Sequence, residues 1–172
     1  MKLKLSEVAS VAEVVGAVAI VISLVYVGIQ LQDSTLAVRS ATANDTSAAM
    51  AAWYITTANN PDSTRVVLDG MTNPEVLSRE ETAQFIYLIH GLFLEYQAAF
   101  YVSEQGTLDI ELRESLVNTL LGVREQPGFQ LYWDQRQDLF QPSFREFVDD
   151  LLDNGTTNRN LERMYRPRDT EP

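Results

Sequence analysis

The chain has no cysteine and one histidine, His90, among 172 residues. The first absence removes disulfides, thiolate zinc sites, iron–sulfur clusters and cysteine nucleophiles. The second removes any His-pair metal site within one chain. Lysine is nearly absent too: Lys2 and Lys4 are the only two. Beyond residue 31 the positive charge is therefore all arginine, and acids outnumber it two to one, giving that part the whole net charge of −11. Such a body repels nucleic-acid phosphate and anionic lipid headgroups, so no nucleic-acid partner is expected.

Motifs for familiar chemistry are missing as well. There is no G-x-x-x-x-G-K-[ST], no G-x-G-x-x-G and no G-x-S-x-G. A di-iron bundle needs two E-x-x-H pairs, and Tyr87 stands three residues before His90. Asp149, Asp150 and Asp153 before Asn154-Gly155 lack EF-hand spacing and read as a solvated helix end. Phe129, Tyr132, Trp133 and Phe140 could form a ligand platform, but rings at such spacing are more often core. No cofactor, metal or catalytic residue is expected, and the chain reads as not an enzyme.

What the chain does have is an apolar run, Val14 to Ile29, in which only Ser23 and Tyr26 carry a side-chain polar atom. Extended back through Glu13 to Val8 it reaches 22 residues. At ~1.5 Å per residue that is about 33 Å, enough for a hydrocarbon core of ~30 Å. A cleaved signal peptide fits poorly. The A-x-A sequence Ala41-Thr42-Ala43 lies more than ten residues past Ile29, and Glu7 and Glu13 are foreign to such a peptide.

The run has two distinct faces. Ala9, Ala12, Gly16, Ala19 and Ser23 recur at 3-4-3-4 spacing, and Tyr26 and Gln30 continue the line. Val11, Val15, Val18, Ile22, Val25 and Ile29 lie about 120° away at 100° per residue. Small residues let backbones approach closely, so the first stripe is the expected oligomer interface and the second the lipid face. The 3.5-residue repeat favours a left-handed bundle. Glu13 lies beside the small stripe. A carboxylate there either snorkels to the interface or forms a ring at the mouth of an oligomer.

The rest reads as helices. The anchor (8–30, after a flank at 1–7) continues as a connecting helix over 31–60, with a possible interruption at Asp33-Ser34, and Asn59-Asn60-Pro61-Asp62 ends it. The body, 61–155, has a short helix at about 63–71. A capping box at Ser78-Arg79-Glu80-Glu81 opens a helix to about Glu104. Its inward series is Phe85, Ile86, Ile89, Leu92, Phe93, Tyr96, Ala99 and Phe100. Gln105-Gly106 stops it, Asp109 caps a helix to about 124, Pro127 opens one running through Leu139-Phe140, and Pro142-Ser143 opens the last, closed by Asn154-Gly155. A polar tail, 156–172, follows. With no strand-like alternation the fold class is all-α: one N-terminal transmembrane helix continuing into a multi-helix bundle.

The segments from Glu13 to Thr35, Gly106 to Asp109, Pro127-Gly128 with Trp133, and Phe144 to Val148 resemble a widespread group of small bacterial proteins. These have an N-terminal membrane helix, a short polar exit and a helical body, and the resemblance covers most of residues 10–152. It implies no activity and transfers no catalytic residue. The arginines frequent in that group just past the exit are replaced here by Gln32 and Asp33.

The expected function is a membrane-anchored scaffold or accessory subunit that self-associates through Ala9, Ala12, Gly16, Ala19 and Ser23. Its partners are the lipid bilayer and further copies or subunits of a membrane complex. The alternative is an oligomeric pore with Glu13 near its mouth. By the positive-inside rule, Lys2, Lys4 and the amino terminus against Arg39 favour an N-terminus in the cytoplasm with the body outside, and the expected location is the cell (inner) membrane, crossed once.

Overall fold

The computed structural model of the chain describes residues 5–155, with side chains at Ala9 and from Ala12 onward. Lys2, Lys4 and the tail at 156–172 lie outside the described residues. Six α-helices carry the fold: α1 Leu5–Ala58, α2 Pro61–Thr72, α3 Arg79–Glu104, α4 Ile110–Val123, α5 Pro127–Arg136 and α6 Pro142–Asn154. Short 3₁₀ turns cover Pro74–Val76 and Gln137–Leu139, and no strand occurs among the described residues. The chain divides into two compact units between Ser40 and Ala41.

The helix boundaries follow their punctuation. Asn60 does not merely end α1; its side chain accepts from the backbone N–H groups of Asp62 and Ser63 and so starts α2, with Pro61 at the position where a missing N–H costs nothing. Ser78 and Glu81 form the capping box of α3 reciprocally. Asp109 caps α4 through the Glu111 N–H. Gly106 adopts φ +69°, the left-handed turn that glycine reaches without a steric penalty. Two expectations need adjusting. Asp33-Ser34 does not interrupt α1, which is helical throughout. The Pro127 helix ends at Arg136, and Leu139 sits in a 3₁₀ turn with its side chain 62% exposed while Phe140 turns into the core.

In the second unit the core surrounds Phe93 of α3. Its ring centroid lies 5.0 Å from Tyr132, 5.4 Å from Trp133, 5.7 Å from Phe129 and 5.8 Å from Phe140. Phe85, Ile86, Ile89, Val66, Met71, Phe144 and Val148 complete it. Polar ties link the helices at the edge of this core. His90 Nδ1 and the Tyr132 hydroxyl join α3 to α5 at 2.8 Å. Trp133 Nε1 donates to Asp149 of α6 at 2.7 Å. Trp53, near the end of α1, donates from Nε1 to the Leu88 carbonyl of α3 at 2.8 Å. Trp133 thus buries its rings, Trp53 covers part of its own against the core, and each still satisfies its N–H.

Candidate functional site

The predicted interface residues share one helical face of α1, and none of the described residues covers them. Ala9, Ala12, Gly16, Ala19 and Ser23 are all exposed, as is Glu13. A Cβ built on Gly16 would meet no atom within 4 Å. The Ser23 hydroxyl donates to the Ala19 carbonyl at 2.9 Å, so its polar atom is already satisfied within the helix. Thr35 does the same to the Leu31 carbonyl at 2.8 Å. The rest of the described surface of this stretch is equally bare. Between Val14 and Leu31 twelve large apolar side chains stand exposed. Burying such a side chain contributes roughly 1.5–3 kcal/mol, so twelve together outweigh the ~5–15 kcal/mol that holds a whole domain folded. An isolated helix in water does not carry that load, whereas lipid both accepts the side chains and enforces the backbone hydrogen bonds.

Two of the described helices are long and apolar enough to cross a membrane: α1 and α3. The sequence reading expects one transmembrane helix, the anchor; by length and composition α3 qualifies as well. The two differ in what they touch. The apolar stretch of α1 is wholly unburied, while α3 is the centre of the body, with Phe85, Ile86, Ile89, Phe93, Tyr96 and Ala99 buried.

The candidate ligand platform is part of the core. Phe129, Tyr132, Trp133 and Phe140 are 1%, 0%, 4% and 6% exposed, packed on Phe93 rather than lining an opening. Burial pushes the Tyr132 phenol well above its ordinary pKa, so it stays protonated and can donate to His90 Nδ1. A cavity of about 50 Å³ lies beneath Trp53 and Tyr54, lined by Val67, Met71, Ile89, Leu92 and Phe129. It is smaller than the ~150 Å³ apolar cavity that admits a benzene-sized guest. At the acidic end of α6, Asp149 accepts from Trp133 and Asp150 accepts from Asn154 at 2.8 Å. No group of three metal-ligating side chains is found among the described residues.

Sequence reasoning recorded only the inward series of α3 and missed its outward one. Tyr87, Leu94 and Tyr101 are 74%, 46% and 55% exposed, with Gly91 and Ala98 between them. The signal was present, since 87, 91, 94, 98 and 101 recur at 4-3-4-3 spacing. Gly91 is unexplained by the fold. In a helix interior glycine costs about 1 kcal/mol relative to alanine, and no atom lies within 4 Å of where its Cβ would be. Gly128 is the opposite case, because a Cβ there would fall on the carbonyl oxygen of Gly70, where α5 crosses α2.

No protein-family model, curated protein or solved structure matches this chain.

Proposed function

We propose that this chain is a single-pass membrane protein, a non-catalytic helical scaffold or accessory subunit that self-associates through the small-residue face of α1. One observation carries the reading: α1 presents twelve bare apolar side chains between Val14 and Leu31, and none of the described residues covers them. In this reading α3, whose buried face supplies the centre of the core, remains in the body and does not span. The anchor sits in a bacterial inner membrane with its N-terminus cytoplasmic, and the chain belongs to the group of small anchored helical proteins it resembles. Ala12, Gly16 and Ala19 are the closest-approach positions between copies. The pore alternative draws little support from the span, since the Ser23 hydroxyl is engaged on the Ala19 carbonyl and Glu13 alone offers a charge.

The test is removal of residues 1–30 followed by carbonate extraction. The full chain is expected to stay with the membranes and the truncated chain to be released. Retention of the truncated chain would mean that a second segment holds the membrane, with α3 the one to examine.

A further inference from the structure

We infer that the last turns of α1 form a charge-gated strap. Repulsion between Asp45 of α1 and Glu95 of α3 holds open the cleft between these two helices, and relieving it lets α1 close on the body. The strap is lightly fastened. Between residues 41 and 58 only Met50 and Thr57 are buried, and the Trp53 indole donates to the Leu88 carbonyl of α3. Thr57 is held at a cost, because its hydroxyl oxygen is buried with no hydrogen-bond partner among the described residues. Packing around these fastenings is incomplete. Beneath Trp53 and Tyr54 lies the cavity of about 50 Å³. Towards residue 41, an open cleft of about 340 Å³ separates α1 from α3.

Side-chain bulk does not explain the cleft. Thr42 and Thr46 stand on one wall, Ala98 and Val102 on the other, and helices lined by such small residues can pack at about 8–10 Å between axes. The two charges of the cleft are Asp45 and Glu95, one on each wall and both negative, and no arginine or lysine lines it. Neither carboxylate has an ion pair or hydrogen bond among the described residues. Glu95 is half-buried, so water screens it less than it would a fully exposed charge. Dissolved salt screens what remains, since the Debye length falls from about 10 Å at 0.1 M to about 3 Å at 1 M. Closure of the strap therefore increases with ionic strength. Met50 and Trp53 fasten it at one end, and the turns from Thr42 to Thr46 are the part that moves. The device does not depend on self-association, and it sets how tightly the end of α1 is tied to α3.

The lack of native cysteine permits a distance measurement in the full-length chain. Ser47→Cys on α1 and Leu94→Cys on α3, both exposed, take a pair of spin labels, and dilution with unlabelled chains leaves the intrachain distance. At low salt, Asp45→Asn with Glu95→Gln should shorten that distance by roughly 2–4 Å, as α1 enters ordinary helix-packing range. Raising the salt to about 1 M should give the natural charges the same shift and leave the neutralised pair where it was. Glu75→Gln with Asp134→Asn removes as many charges from exposed sites outside the cleft and should leave the distance unchanged. An unchanged distance in the Asp45→Asn, Glu95→Gln chain would overturn the inference. So would an equal shift in the Glu75→Gln, Asp134→Asn chain, which would make net charge the cause. A salt shift as large in the neutralised chain as in the natural one would overturn it too.

Discussion

Gly128 and Gly91 are both helical glycines, and the same substitution should act on them with opposite sign. A methyl at Gly128 meets the Gly70 carbonyl where α2 and α5 cross, so Gly128→Ala must force those helices apart. The expected loss is about 3 kcal/mol, at the upper end for overpacking a close contact. Gly91→Ala meets nothing and should gain up to about 1 kcal/mol from helix propensity. Thermal unfolding followed through the signals of Trp53 and Trp133 would check both, and equal effects would contradict the packing described. Glu81 supplies a pH signature. The Ser78 backbone N–H, then the Arg65 guanidinium and the Ser78 hydroxyl, hold its carboxyl down at about 2, from an ordinary 4.5. Because the folded value is the lower one, the stabilisation is complete above pH 4.5 and is lost as pH falls towards 2. Glu81→Gln should lower stability at neutral pH and flatten the acid limb of the stability curve in that window, so that the two chains converge as pH falls towards 2. An acid limb identical to that of the natural chain would show that the capping carboxylate is not linked to folding.

At the level of helices, boundaries were legible where a capping side chain or a proline at the first helical position marks the start. Ser78, Asp109, Pro127 and Pro142 stand in the sequence where the structure starts α3, α4, α5 and α6. Asp33-Ser34 misled because a capping residue can equally remain inside a continuous helix, its polar side chain in solvent. The end of α5 was not legible, since the turn at Gln137–Leu139 is set by Phe140 packing 5.2 Å from His90 and 5.7 Å from Trp133. That is a tertiary choice with no local signal. The two small-residue faces differ in the same way. The α1 stripe stands out in a run with few polar atoms, whereas the α3 face is interleaved with an inward series of equal strength and becomes visible only once that series is buried. For α1, Gly16→Leu and Ala19→Leu should weaken self-association in membranes without impairing insertion. Leucine is welcome in hydrocarbon but holds backbones apart. Val18→Leu and Ile22→Leu are volume-conserving controls on the lipid face and should leave association within a small factor of the natural chain. Energy transfer between labelled copies would read the contrast, and a loss confined to the valine-face variants would mean the helix is turned the other way.

For the whole molecule the division of labour is one of solvent. The second unit buries aromatic surface around Phe93 and ties α1, α3, α5 and α6 by Trp53, His90 and Trp133. Among the described residues, the apolar stretch of α1 buries nothing. In the proposed reading that apolar surface is covered by lipid on the valine face and by another helix on the small one. The most direct measurement of that claim is the protein mass of the detergent-solubilised particle, corrected for bound detergent. The account predicts a mass of at least two 19.4 kDa chains of this sequence, with no other protein required to reach it. A particle containing one chain at concentrations where the membrane form is intact would contradict it.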